Sequence, residues 1–176
     1  MKAVSKVLVN VVSAYNDTIE HGSLKLYVDT SFRPEHHKKQ DGIAHADFES
    51  LGIKKGDTLW FHYLAIKDEM MLGKDGDFDI YAIEPNMVYA IERDGKLIML
   101  SEYILVDIQK EKDEVTSTGI ILYKEKENVE QRGIVWKGGD LEGEEIFFHE
   151  SRAFINEIAG REVYVMEKED ILAVCN

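Results

Sequence analysis

The residues in this chain best suited to chemistry are its histidines, one acidic stretch and a single cysteine. His36 and His37 are adjacent, with His21 and His45 nearby in sequence. Adjacent histidines in a polar segment lack the spacing of a structural zinc site, and no cysteine lies near them. They read as part of a solvated loop. Asp75-Gly76-Asp77-Phe78-Asp79 opens like a calcium-binding loop. Its sixth position is Ile80 where such a loop needs glycine, and its twelfth is Asn86 where it needs glutamate. That reading is rejected. His62 and His149 each follow an aromatic run, with no nucleophile at a recognisable spacing, and read as structural. Cys175 stands alone at the C-terminus, so no disulfide can form within the chain, and a thiol enzyme has no histidine partner to rest on. No Gly-x-Gly-x-x-Gly and no phosphate-binding loop occurs. The sequence therefore predicts no metal, no cofactor and no enzyme.

The remaining chemistry is burial. Gly119-Ile120-Ile121-Leu122 is an apolar island between Asp113-Glu114 and Lys124-Glu125-Lys126-Glu127. Each bulky aliphatic side chain left in water forgoes roughly 1.5–3 kcal/mol of burial. These residues must fold back on their own domain or bury in a partner. Leu24 and Leu26, in His21-Gly22-Ser23-Leu24-Lys25-Leu26-Tyr27, form a weaker island interrupted by Lys25.

The elements that must position these islands are written twice. Val7–Val11 (VLVNV) recurs as Ile104–Ile108 (ILVDI), an offset of 97. Gln40-Asp41-Gly42-Ile43 recurs as Gln131-Arg132-Gly133-Ile134, an offset of 91. Gly56 to His62 (GDTLWFH) recurs as Gly143 to His149 (GEEIFFH), an offset of 87. Val88 to Glu92 is matched to Val163 to Glu167, an offset of 75. Each fall in offset is an insertion in the first copy, of 6, 4 and 12 residues. The last is assigned to Lys67 to Phe78, read as an extra hairpin or flap. Insertions confined to segments between strands are what surface loops tolerate.

Strand signals dominate both copies. β-branched residues alternate through Val7–Val12 and Ile104–Gln109. Gly56-Asp57, Gly143-Glu144 and Arg93-Asp94-Gly95-Lys96 read as turns. Glu145 to Gly160 has helical propensity, but its repeat partner is strand-like, so strand, turn, strand is expected there. Trp60, Phe61, Phe147 and Phe148 read as core. Ser13 to Lys39 and Lys110 to Glu130 are the long polar loops. The expected fold is all-β, two tandem, partly open β-barrels, over residues 1–100 and 101–176 with almost no linker.

The 176 residues are 44% hydrophobic and 31% charged, a globular composition. The net charge is −13, with −4 on the first hundred residues and −9 on the rest, which repels phosphate backbones. Nucleic acid is not an expected partner. No stretch has the length of a membrane span, so no membrane partner is expected. The opening residues alternate as a strand and do not read as a signal peptide. Together with a single cysteine, this points to a reducing, cytoplasmic setting.

In its second copy the chain resembles the GroES, or chaperonin-10, family of co-chaperonins. The resemblance runs through the strand Tyr103 to Ile108, the loop tripeptide at Gly119-Ile120-Ile121-Leu122, and the re-entry Gln131-Arg132-Gly133-Ile134-Val135. It continues through Gly143 to Phe148 and closes with Met166-Glu167-Lys168-Glu169-Asp170-Ile171-Leu172-Ala173-Val174. The resemblance implies two GroES-like barrels, the first divergent, and a partner, an ATP-bound GroEL-type chaperonin. It implies that Gly119, Ile120, Ile121 and Leu122 contact that partner, with Leu24 and Leu26 as a weaker second contact. It further implies a homo-oligomeric or mixed ring, an odd fit for two barrels per chain. The segment Trp136 to Glu142 is short where the family has a roof hairpin. A second reading stays open: a non-catalytic β-barrel binding or assembly module, phage-related in one form, that has lost chaperonin binding.

Overall fold

The computed structural model of the chain describes residues 3–14, 18–21, 24–27, 38–100, 102–108 and 131–175. Two compact units divide it, Met1–Ser101 and Glu102–Asn176. The described residues are all-β, with short 3-10 turns between strands and no α-helix among them.

The first unit contains β1 (Val7–Val11), β2 (Thr18–His21), β3 (Leu24–Tyr27), β4 (Asp41–Ala44), β5 (Thr58–Phe61), β6 (Met71–Asp75), β7 (Phe78–Ile83), β8 (Val88–Arg93) and β9 (Lys96–Met99). The second contains β10 (Tyr103–Ile108), β11 (Gln131–Lys137), β12 (Glu145–Phe148), β13 (Phe154–Ile158), β14 (Arg161–Glu167) and β15 (Ile171–Cys175). The first unit's seven-stranded sheet runs β6-β7-β1-β4-β5-β8-β9, and the second unit's six-stranded sheet runs β13-β14-β10-β11-β12-β15. All pairs are antiparallel. Among the described residues each sheet ends on two strands that pair along one side only, so each is a partly open barrel rather than a closed one.

The two orders coincide strand for strand, apart from the additional β9. Register agrees as well. Val9 stands opposite Tyr81 in one unit, and Val106 opposite Tyr164 in the other. A register shift falls between Trp60 and Phe61 and again between Phe147 and Phe148. The turn before β5 is closed by Gly56 N–H to Ala44 O and Ala44 N–H to Asp57 O, both 2.9 Å. The turn before β12 uses Gly143 N–H to Val135 O (2.8 Å) and Val135 N–H to Glu144 O (2.9 Å). Gly56 and Gly143 sit at φ 95° and 89°, which only glycine adopts without strain.

The recurring Gln-x-Gly-Ile has a steric cause. A Cβ on Gly42 would lie 2.6 Å from Val9 Cγ2 and 2.7 Å from Asn10 O. On Gly133 it would lie 2.2 Å from Val106 Cγ1 and 2.8 Å from Asp107 O. The strand therefore passes its neighbour closely only without a side chain at that position.

One element of the sequence alignment is corrected. Register places Tyr81-Ala82-Ile83-Glu84 against Tyr164-Val165-Met166-Glu167, and Val88-Tyr89-Ala90-Ile91 against Ile171-Leu172-Ala173-Val174. The offset is 83, not 75. The cause is that Tyr-Ala-Ile-Glu occurs twice in the first copy, at 81–84 and 89–92, and the sequence match took the second. The supposed twelve-residue insertion at Lys67 to Phe78 is thus not one. It holds the β6–β7 hairpin, which the second unit shares as β13–β14. The true difference is four residues, between Phe61 and β6: His62–Met70 in one unit, His149–Ala153 in the other. Those extra residues fill space, since Ala65 and Ile66 are buried in the first unit's core.

That core gathers Val7, Val9, Phe48, Ile53, Leu59, Phe61, Ile83, Val88 and Ile91. The second unit's is smaller: Ile104, Val106, Val135, Ile146, Phe148, Tyr164 and Met166. Phe147 is not part of it. The strand alternation that sends Ile146 and Phe148 inward turns Phe147 to the other face, half-buried, with the Arg132 guanidinium 4.4 Å from its ring centroid.

Candidate functional site

Both units interrupt the same strand pair to build their longest excursion. In the second unit it leaves β10 after Ile108 and returns at Gln131. Gly119, Ile120, Ile121 and Leu122 belong to it and lie outside the described residues. In the first unit it leaves β1 after Val11 and returns at Asp41. The sequence reading took Ser13 to Lys39 as a loop. It carries a hairpin instead, β2 on β3, with Ile19 opposite Leu26 and His21 opposite Leu24. The missed signal is alternation in sequence on either side of Gly22-Ser23, a dipeptide type that favours strand reversal.

The hairpin changes how Leu24 and Leu26 are presented. Side chains two apart in a strand share a face, so Lys25 points to the opposite side and does not interrupt the pair. Leu24 is 56% exposed and Leu26 48%. Two aliphatic side chains so placed form a small apolar contact surface on a two-stranded ribbon. A ribbon of two strands is marginal in water without something to cover it.

The feet of the two excursions carry side-chain clusters that the sequence reading did not single out. At the end of β10, Asp107 pairs with Arg161 at 3.3 Å, and the Arg161 guanidinium lies 4.7 Å over the Trp136 ring. At the matching place on β1, His45 Nδ1 lies 2.9 Å from Asn10 Oδ1 and 3.8 Å from Asp75 Oδ2. Asn10 and Asp107 are equivalent in the repeat, as are His45 and Trp136. Each cluster ties the departing strand to the returning strand and to the neighbouring hairpin. The sequence signal was the Asn/Asp inside an otherwise apolar VLVNV/ILVDI strand.

The other ionisable groups serve the scaffold. Among the described residues of the first unit Asp57 is the buried carboxylate, 5% exposed. It accepts from Arg93 Nε at 2.9 Å and Nη2 at 2.6 Å and from the Lys54 N–H at 2.8 Å, and Arg93 also donates to Gly52 O at 2.7 Å. The Arg93 guanidinium holds the Asp57 carboxyl below the usual carboxylate range. Tyr103 is pushed up to about 12, first by burial and then by the Glu167 carboxylate. Lys168 donates to Asp140 at 3.0 Å, and the two stabilise each other's charge.

His62 and His149 act as turn caps. His62 Nδ1 accepts the Leu64 N–H at 3.1 Å, and His149 Nδ1 accepts the Ser151 N–H at 3.3 Å. The Ser151 hydroxyl lies 2.8 Å from the same nitrogen. A serine beside a histidine invites a catalytic reading, yet the first unit makes the same turn with leucine in that place. The backbone contact belongs to a local turn that both units share. Asp75 to Asp79 spans the tip of the β6–β7 hairpin, joined through Gly76-Asp77, with Gly76 at φ 62° and Lys74 pairing Asp79 at 3.1 Å. Among the described residues no helix is long and apolar enough to cross a membrane, and no three His, Cys, Asp or Glu side chains gather as a metal site. His36 and His37 lie outside the described residues.

Residues 96–175 match the family described as Chaperonin 10 Kd subunit. The match covers β9 through β15, with the 109–130 excursion inside it. The second half of the chain is therefore chaperonin-10-like, while the first unit lies almost wholly outside the match. No curated protein matches the chain.

Proposed function

We propose that this chain is a co-chaperonin, a tandem of two GroES-like barrels over residues 1–100 and 101–176, that caps a GroEL-type chaperonin in its ATP-bound state. The observation that carries the reading is the chaperonin-10 match over residues 96–175. The shared strand order and register support duplication of the same module in the first unit. In this reading Gly119, Ile120, Ile121 and Leu122 dock in an apolar groove of the chaperonin, and Leu24 and Leu26 make a weaker second contact. The family is one of non-enzymatic co-chaperonins, and the ATPase belongs to the partner. The setting is cytoplasmic. An excursion that orders on docking loses entropy, so each contact is weak, and a homo-oligomeric or mixed ring recovers affinity by multivalency.

The test is native mass spectrometry with a GroEL-type chaperonin, with and without ATP. An ATP-dependent complex is expected for the natural chain. Replacing Ile120, Ile121 and Leu122 by serine should abolish it with both units still folded. Normal binding by that triple variant, or its unfolding, overturns the assignment.

A second reading, a binding or assembly module without chaperonin contact, is favoured by one observation. Between β11 and β12 the chain makes only the 3-10 turn Gly139–Leu141, with no roof hairpin. Loss of ATP-dependent binding in the natural chain would favour it.

A further inference from the structure

The excursion of the second unit leaves from a foot whose residues the first unit does not repeat. Along β10 and β11 the partners run Ile108–Gly133, Asp107–Ile134 and Val106–Val135, and then shift to Leu105–Lys137. Trp136 is the residue passed over, a β-bulge on the returning strand. A bulge bends its strand, raises the local twist and re-aims a side chain. Here that side chain is Trp136, half-buried, with the Arg161 guanidinium 4.7 Å from its ring centroid. Arg161 opens β14 and reaches Asp107, the penultimate residue of β10, at 3.3 Å. The backbone on either side of the bulge is held by close packing. A Cβ on Gly133 would lie 2.2 Å from Val106 Cγ1, and one on Gly138 would lie 2.7 Å from Ile104 Cγ2.

In the first unit Asn10 stands for Asp107 and His45 for Trp136. The hairpin tips Asp75-Gly76-Asp77-Phe78 and Ile158-Ala159-Gly160-Arg161 make Phe78 the counterpart of Arg161. The charged, stacked arrangement therefore belongs to the second unit. It does little for stability. The Arg161 and Asp107 side chains are 47% and 34% exposed, and an ion pair so placed contributes little in water. Its place gives it another task, because it joins the departing strand, the returning strand and the neighbouring hairpin where the excursion begins.

We infer that Trp136 and Arg161, tied to β10 through Asp107, are positioning residues for the chaperonin contact: they fix the twist of the β10–β11 pair and so the direction in which residues 109–130 leave the sheet. They act through the excursion and do not touch the partner themselves. The inference rests on the chaperonin reading above and deepens it, naming residues besides Gly119 to Leu122 that set the strength of the contact. A cation–π contact at a partly exposed site shifts an equilibrium by about two- to fivefold. A ring repeats that factor at each contact, so a small change per site becomes a large one for the assembly.

The test has two arms on the full chain. The first needs no chaperonin. Spin labels are placed through Thr116→Cys and Glu157→Cys in a Cys175→Ser background, and their separation is read by pulsed electron paramagnetic resonance. Arg161→Gln should displace or broaden the distance distribution. Arg161→Lys keeps a cation beside Asp107 but not the planar guanidinium, and should restore part of it. An unchanged distribution in Arg161→Gln overturns the inference. In the second arm, ATP-dependent affinity for a GroEL-type chaperonin is titrated with unlabelled chains. Arg161→Gln and Asp107→Asn should each weaken it about tenfold or more with residues 119–122 intact. The second unit should stay folded in both, as read by urea unfolding. Binding within about twofold of the natural chain overturns the inference, since that is the smallest effect expected at a single site. So does weakening confined to variants whose second unit is partly unfolded. A natural chain that binds no chaperonin overturns the reading above instead, and the distances alone then decide whether the foot sets the direction.

Discussion

Replacing Gly133 by alanine puts a methyl carbon 2.2 Å from Val106 Cγ1 and 2.8 Å from Asp107 O. The first neighbour is a fully buried side chain in the second unit's core, and the second is backbone held in the β10–β11 ladder. Neither can swing away, so the strand pair must separate. Overpacking of this kind costs about 1–3 kcal/mol, and a backbone neighbour argues for the upper half of that range. Val106→Ala alone removes buried methyl groups and should cost about 2 kcal/mol. In the double variant the new methyl partly fills the space vacated by Val106, while the contact with Asp107 O persists. The double variant should therefore fall short of the summed losses by about 1 kcal/mol or more, a coupling of the size expected for touching residues. The assay is available because each unit holds one of the two tryptophans, Trp60 in the first and Trp136 in the second. In a Trp60→Phe background, urea unfolding followed by Trp136 fluorescence reports on the second unit. A Gly133→Ala variant within 0.5 kcal/mol of its parent, or strictly additive losses, would refute the close-approach account of the repeated Gln-x-Gly-Ile.

Three further outcomes are expected. Ile66→Ala should cost about 2–5 kcal/mol in the first unit, measured by Trp60 fluorescence in a Trp136→Phe background, and leave the second unit's transition in place. Asp57→Asn should destabilise the first unit at neutral pH. The folded carboxyl titrates below its unfolded value of about 4, so its contribution is present above that pH and is lost as pH falls through the lowered value. Natural and variant stabilities should then converge in acid, and a gap independent of pH would contradict the ion-pair account. Leu24→Ser with Leu26→Ser should leave stability unchanged and weaken ATP-dependent chaperonin binding less than the triple change at 120–122, as read by titration of the complex.

Much of the fold was legible because the same constraints were imposed twice. The Gly-Asp/Glu turns, the glycine of Gln-x-Gly-Ile and the alternating first strand each leave a residue type that only one geometry accommodates. Glu145 to Gly160 showed the value of the repeat: helical propensity yields there to a strand partner, and β12 and β13 form. The final strand pairing was misread because Tyr-Ala-Ile-Glu stands at both 81–84 and 89–92, and alternation alone cannot choose between two identical tetrapeptides. The β2–β3 hairpin was hidden because Leu24–Tyr27 is only four residues long, carries a lysine and is exposed throughout, which a composition reading scores as loop. The clusters Asp107–Arg161–Trp136 and Asn10–His45–Asp75 join residues distant in sequence, and only pairing of the strands brings them together. The aliphatic residues 120–122 were conspicuous because apolar side chains in a charged segment need a reason to be there.

The cross-over at β9 also governs how the chain can be divided. A first half ending at residue 95 would keep β8 but lose the strand on its edge, uncovering Tyr89 and Ala90 and inviting aggregation. A second half beginning at residue 102 would keep its six-stranded sheet yet lack the first six residues of the chaperonin-10 match. Truncation studies should therefore carry residues 96–101 on both fragments, because β9 completes the first unit's sheet and the chaperonin-10 match begins at the same place.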